Sequence, residues 1–392
     1  MQAQAFTLDS VKEYNCILSS QNKVDLSDYP VVIPISGEAM NCRFVVLDSK
    51  RRIVPSQMDD LDGDGKYDEL IFLASYSGKK SAYSIRPAKE SDQLVYKARS
   101  NAQMFFKNDD KSITPTLVAS SPTGDLYNKL HHHGPAFESE LIAYRLYFDR
   151  KQTVDVYGKR FKQLELSESL WYPTDEQLAK GFGDDVLRVS GSVGVGTLKG
   201  WDEKKKRAIH IELVSERTAK IISKGPLRTV VDLSVKGWPY MGQSVSIDSR
   251  YILYAGDRVV NVTHRVVSED PSKLIFTTGV QKIAEQERFS DNKGVTAVWG
   301  CDWPVNDTIK YAKETVGLAV SIPKEFVVSE VEDRSNYLYK ISPDSMGVIS
   351  YLFAAYSLKE EFEVLTSDDF FDLTKERFFN RPIQINLKLT PR

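Results

Sequence analysis

The chain has 392 residues, 41% hydrophobic and 27% charged, with 52 basic against 54 acidic side chains and a formal net charge of −2, an ordinary globular composition with length enough for two domains. That balance gives no long-range attraction to nucleic acid, and no apolar run reaches the ~18 residues of a membrane helix, so neither a nucleic-acid partner nor a membrane span is expected. The cysteines Cys16, Cys42 and Cys301 are too few and scattered for a disulfide framework or a zinc knuckle, and buried free thiols are expected over a single Cys16–Cys42 bridge.

The sequence opens Met1-Gln-Ala-Gln-Ala, with no basic or apolar leader. It reads as a mature exported chain behind a start methionine, so a periplasmic or secreted location is expected. From there the prevailing rhythm is period two between turn residues, the mark of antiparallel β structure. Strands are predicted at 30–35, 42–47, 138–148, 208–214, 229–235, 245–253, 259–267, 317–322, 337–341 and 383–389. Helices are few and short: one begins at Thr174, whose hydroxyl pairs with Gln177 in a capping-box pattern, and another at Ser367, where Asp368 and Asp369 suit the helix dipole. The second presents Phe370, Phe371, Thr374 and Phe378 as a packing face. Apolar alternation lapses into a polar stretch between Pro87 and Thr114. A boundary placed there leaves residues 1–95 as a small β-sandwich and 96–392 as a much larger double sheet carrying the site.

Inside the first part, Asp60-Leu-Asp-Gly-Asp-Gly-Lys-Tyr-Asp-Glu69 alternates carboxylates with glycine, a pattern that curls the backbone and converges oxygens as a hard cation requires. The twelfth position of an EF-hand would be Ile71, which excludes that motif. A shorter loop with Asp60, Asp62, Asp64, Asp68 and Glu69 as ligands would hold a structural Ca²⁺; the competing reading is an acidic hairpin turn.

Three of the five histidines stand together as His131, His132 and His133. Imidazole both takes and gives a proton near neutrality and is also a common metal ligand, so the segment reads as an active centre or, alternatively, as a solvated polar loop. His131-x-His133 followed by Glu138 has the spacing of the first cupin metal motif, yet Gly134-Pro135 interrupts the strand, Arg145 replaces the expected glycine and no companion histidine motif follows. Alternation puts Glu138, Glu140 and Tyr144 on one strand face and Arg145 on the other, and Asp155, Tyr157 and Lys159 share a face of the next strand. Such charges either line a site or satisfy each other.

Gly191, Gly194, Gly196 and Gly200 lead to Trp201 without a phosphate-loop or dinucleotide ending, so no nucleotide cofactor is expected. Trp171, Tyr172, Trp201, Trp238 and Tyr240 lie near loops or strand ends, where aromatic faces either stack on sugars or pack. The basic run 204–207 reads as solvated surface. Arg228 opens a strong strand as a bidentate carboxylate partner, and His264 shares a strand face with Val262 and Val266, as a base or as a satisfied core histidine.

These segments together, Val54-Pro-Ser-Gln57 with the Asp-rich loop, His132-His-Gly-Pro135, Glu138-Ser-Glu140, Ala143-Tyr-Arg145, Asp155-Val-Tyr-Gly-Lys159 and Gly225-Pro-Leu-Arg228, resemble a group of exported bacterial proteins catalogued as a domain of unknown function and associated with polysaccharide-utilisation systems. The group is similar to an oligosaccharide dehydratase of ulvan breakdown, which removes water from a terminal uronic acid to leave a 4,5-unsaturated sugar. The resemblance implies an all-β fold with a super-sandwich of the galactose-mutarotase or lyase kind, and an acidic oligosaccharide as partner; a fold alone does not fix the reaction.

Such an elimination builds negative charge beside the sugar carboxylate, which Arg145, Lys159 or Arg228 would stabilise. A base and an acid are also needed: His133, with His132 beside it, or His264 as base, and Tyr157 or Tyr144 as acid, with Trp171 and Trp201 as sugar platforms. The alternatives are a glycoside hydrolase using two of Glu138, Glu140, Asp184 and Asp185, a mutarotase-like epimerase, and a noncatalytic sugar-binding protein. Oligomeric state is left open.

Overall fold

The computed structural model describes residues 8, 12–92, 94–122, 124–309, 311–363, 366–379 and 386–391. The Met1–Ala5 opening and positions 383–385 of the last predicted strand lie outside them.

Two long strands, Tyr14–Pro34 and Glu69–Pro87, pair antiparallel along nearly their full length. Register shifts between Ser19 and Val24 and between Leu26 and Tyr29 divide the pair, and bulges of this kind bend a strand. The pair folds over, so that Phe72 from one half meets Tyr83 from the other at 4.9 Å, and Cys16, Leu18, Val31, Ile33, Phe44, Val46 and Phe72 share one core. Phe44–Leu47 and Ser56–Asp59 complete the two faces. The chain then returns from its far end: Asn386–Pro391 pairs with Tyr14–Ser19. The boundary drawn from sequence therefore needs amending, because the last strand belongs to the first sheet. All three cysteines are free, with Cys16 buried.

The remainder forms a nine-stranded antiparallel sheet facing two five-stranded sheets, an all-β super-sandwich with few short helices. Tyr144 of one small sheet meets Phe353 of the large one at 5.2 Å, and Phe276 of the other meets Trp238 at 6.3 Å. One continuous core runs between the layers, each buried large apolar side chain contributing roughly 1.5–3 kcal/mol. The helix Ser367–Phe379 seats Phe370 against Trp299 and Tyr356. Gly317 makes the room, since a Cβ there would lie 2.5 Å from the Phe370 ring.

The stretch 138–148, predicted as one strand, is a hairpin: Ala136–Ser139 pairs with Ile142–Leu146. Ser139 Oγ accepts the Leu141 amide inside the tight connection, and the polar-to-apolar step from Glu140 to Leu141 continues the alternation in sequence across the turn. Of the predicted 208–214 only Ala208 and Ile209 are strand, within Arg207–Ile209.

Candidate functional site

The histidine segment enters between the hairpin Phe105–Lys107/Ile113–Pro115 and the strand Ala136–Ser139. It is pinned by backbone: the Phe148 amide donates to His133 O at 2.8 Å and the Leu146 amide to Pro135 O at 2.9 Å. Gly134 permits this approach, because a Cβ would sit 1.9 Å from Leu146 O. His132 and His133 both adopt left-handed backbone, φ 40° and 69°, and so do Leu170 and Trp171 opposite, φ 50° and 74°. Such conformations cost non-glycine residues about 1–2 kcal/mol each and concentrate at functional sites.

The three imidazoles have different surroundings. His131 Nε2 lies 3.0 Å from Leu170 O, and His133 Nδ1 lies 2.9 Å from Tyr127 O. A carbonyl only accepts, so each of these nitrogens carries the hydrogen, and His131 Nδ1 and His133 Nε2 keep the basic lone pair. The His133 ring stacks on Tyr127 at 3.8 Å. Burial pushes both half-buried rings below the ordinary imidazole value, so both are neutral bases at neutral pH. His132 is buried, with Gln103 Nε2 at 3.5 Å from its Nε2, and burial drives its value much lower.

Beneath them Arg145 is sandwiched. Its guanidinium donates to Asp155 at 2.6 Å, Asp185 at 2.9 Å, Tyr147 at 2.8 Å and Tyr172 at 3.0 Å, and it lies 4.5 Å above the Trp171 ring. Trp171 in turn donates to Asp185 at 3.1 Å. Burial and the adjacent Asp155 carboxylate push Asp185 upward. Tyr172, half-exposed, approaches His131 at 5.9 Å, and Lys151 covers Tyr127 and Tyr147 at 5.1 Å each. A groove of about 270 Å³ lined by Asn101, Gln103, Phe105, Ser167 and Lys224 reaches the cluster through Gln103 and Phe105. Phe105 is 6.3 Å from His131 and 6.2 Å from His132.

Of the residues singled out from sequence, His131, His132, His133, Arg145, Asp155, Trp171, Tyr172 and Asp185 meet here, whereas Tyr144, Tyr157, Lys159, Trp201, Arg228 and His264 do not. Tyr157 lies behind Trp171 at 5.5 Å, its hydroxyl sealed onto Glu165 and Gly183 O. Tyr144 donates to Arg258 O and accepts the Ala355 amide, tying the small sheet to the large one. Lys159 spends its three hydrogens on Glu138, Ser139 O and Gln163 O. The Glu138 carboxylate also accepts the Glu165 and Leu166 amides at 2.8 and 2.9 Å, so the cupin-like triad does not assemble. Trp201 packs with Val193 and Leu338 in a separate cluster. Arg228 joins the domains: it binds Asp59 at 2.7 Å and Glu69 at 2.6 Å, while Gln57 accepts the Leu227 and Arg228 amides. These are corrections with one cause: each of these groups is buried, and apart from the Trp201 indole, which only packs, each is held by hydrogen bonds within the fold.

His264 is sealed between Ser249 and Tyr351, 2.8 Å from each, and burial pushes it down to about 3. Its folded value lies below the ordinary 6.5, so its contribution to stability is full above that pH and is lost as pH falls from there toward about 3. Denaturant titrations at neutral and mildly acidic pH should show this slope reduced in His264→Gln, which keeps hydrogen bonds without the titration; an unchanged slope refutes it.

Sequence reasoning missed Tyr127, Tyr147, Gln103 and Phe105. Tyr147 was accessible from Arg145 two residues earlier on one strand face, with Asp155 directly across from Arg145; Tyr127 and Gln103 arrive through loop and sheet pairing that no local pattern announces.

In the acidic loop, ligand oxygens of Asp60, Asp62 and Asp68 lie within 4.8 Å of one another. Asp64 accepts the Lys66 amide and Glu69 is held by Arg228, so of the five predicted ligands Asp60, Asp62 and Asp68 are the three that converge. Gly63 and Gly65, at φ 83° and 86°, supply the curl.

The model of the family described as "Domain of unknown function (DUF4861)" matches residues 18–385. The chain belongs to this family. No curated protein matches it. In fold it is similar to an α-mannosidase from Enterococcus faecalis V583, with TM-score 0.50 and 8% identity over 96% of this chain and 46% of that one. It is likewise similar to a glycosyl hydrolase family 38 protein from Enterococcus faecalis, with TM-score 0.48 and 8% identity over 96% and 47%. The DUF4861 chain thus spans about half the length of these structures, and the first likeness bears on fold alone.

Proposed function

We propose that this protein is a carbohydrate-active enzyme of the lyase type, which takes an acidic oligosaccharide in the groove beside His131–His133 and removes water from a terminal uronic acid by β-elimination. The observation that carries the reading is His133: a half-buried imidazole whose Nδ1 hydrogen is committed to Tyr127 O, leaving Nε2 as a neutral base beside an aromatic wall suited to a sugar face. His133 takes the C5 proton, the C4–oxygen bond breaks, and the departing hydroxyl receives a proton and leaves as water. Tyr172 is the assigned acid in place of the buried Tyr144 and Tyr157, because Arg145 donates to its oxygen and leaves the phenol hydrogen free to be given away. Arg145 acts through the tyrosines, since its Nε and Nη2 are committed to Asp155, Asp185 and Tyr147 and its Nη1 donates to Tyr172.

Incubation with uronic-acid-terminated oligosaccharides and mass analysis of the products tests the reaction. Loss of one water's mass, with the ultraviolet absorbance of a conjugated uronate, is expected. Gain of a water's mass would replace the reading with hydrolysis, and unchanged mass with epimerisation or binding.

The Asp60–Asp62–Asp68 loop is proposed as a structural Ca²⁺ site, its carboxylates and turn carbonyls being hard oxygen donors. Calorimetric titration of chelator-treated protein should release or absorb heat and raise the unfolding temperature. Absence of both removes the ion.

A further inference from the structure

A larger concavity lies away from the histidines, where the two domains meet. Two lobes of about 660 and 590 Å³ share Ser27, Asp28, Gly256, Glu363 and Arg377, each within the ~300–1,000 Å³ typical of small-ligand sites. The acidic groups of the first lobe are already neutralised: Asp28 is bound bidentately by Arg99 at 2.7 and 2.8 Å, Glu140 accepts Arg99 and the Gly256 amide, and Glu363 is shared by Arg258 and Arg377, while the exposed Glu376 lines the second lobe only. Gly256, at φ 70°, makes the Asp28–Arg99 pair possible, because a Cβ would lie 2.5 Å from the Asp28 carboxylate.

The cations are not all used. Lys97 and Lys162 line the first lobe from different segments, both exposed, and neither has a carboxylate partner among the described residues. Arg377 adds a buried Nε with no partner among the described residues, although its other nitrogens hold Asp257 and Glu363. The first lobe, whose carboxylates are paired and whose ammonium groups are not, selects for an anion, while Gln163, Ser27 and the free edges of the paired charges offer hydrogen bonds to hydroxyl groups.

We propose that this interdomain cleft is a second saccharide site, which holds an anionic sugar, carboxylated or sulfated, through Lys97, Lys162 and Arg377. The class of ligand rests on the acidic-oligosaccharide reading above, but the site does not require turnover. Calorimetry on the full chain carrying His133→Ala, which silences the proposed chemistry, tests it with three probes: a trigalacturonate, a sulfated disaccharide of chondroitin, and uncharged cellotriose. Binding of at least one charged probe is expected, weakened at least tenfold by Lys97→Ala with Lys162→Ala, reduced by raised salt, and absent for cellotriose; which charged probe binds separates carboxylate from sulfate. Both lysines are exposed, so the double variant folds, and unchanged thermal unfolding confirms that. Equal binding by the double variant, equal binding of cellotriose, or no binding of either charged probe overturns the site. Dehydration that persists while the cleft fails to bind would refute this inference alone and leave the catalytic reading standing.

Discussion

His133→Ala should lower the rate of dehydration by about 10²–10⁴-fold, the contribution of a positioned general base, while far-ultraviolet circular dichroism remains that of the parent. The ring is half-buried and only one of its nitrogens is tied to the fold, through Tyr127 O at 2.9 Å, so the alanine loses a stacking contact and one hydrogen bond but no buried charge. The pH profile supplies a readout that a structural role would not move. A base must be unprotonated, so activity falls as pH drops through its pKa; burial places that value below the ordinary 6.5, and the acid limb of kcat/KM should lie correspondingly low. His131→Ala separates the neighbours, since His131 also keeps a basic nitrogen. Turnover retained in His133→Ala, with the acid limb unmoved, excludes His133.

Lys159→Met should instead be a stability variant, losing about 3–5 kcal/mol, the cost of stripping the partner from a buried ion. Both members of the Lys159–Glu138 pair are fully buried, 2.5 Å apart, and the carboxylate has no route to water. The defect should be largely relieved by adding Glu138→Leu, which removes the stranded charge. Thermal and denaturant unfolding of the single and double variants measure this. Unchanged stability with a raised KM would return Lys159 to the substrate.

The contrast between these residues explains what the sequence could and could not disclose. Period-two alternation identified the strands Gln243–Tyr254, Val259–Val267 and Asn336–Ile341, because pleat geometry writes itself into local order. The clustering of His131, His132 and His133 and the proximity of Arg145 were legible for the same reason. Alternation tells which face a side chain takes, not whether that face meets solvent, a cleft or another sheet. Tyr144, Tyr157, Lys159 and His264 were therefore indistinguishable from site residues until their partners were in view. Arg228 is a sharper case: its carboxylates lie 169 and 159 residues away, and no local pattern encodes a pairing at that separation. The bulges that fold Tyr14–Pro34 over were invisible for a related reason, since an extra residue in one strand has meaning only against its partner's register.

The return of Asn386–Pro391 to Tyr14–Ser19 bears on how the protein is made. During synthesis the first domain emerges long before the segment that closes it, so its outer strand leaves the ribosome with unpaired amides and carbonyls. Such an open border is a template for association with other nascent chains. Asn386–Pro391 acts as a clasp, and deleting that one strand should send the product to inclusion bodies while sparing every group in the histidine cluster.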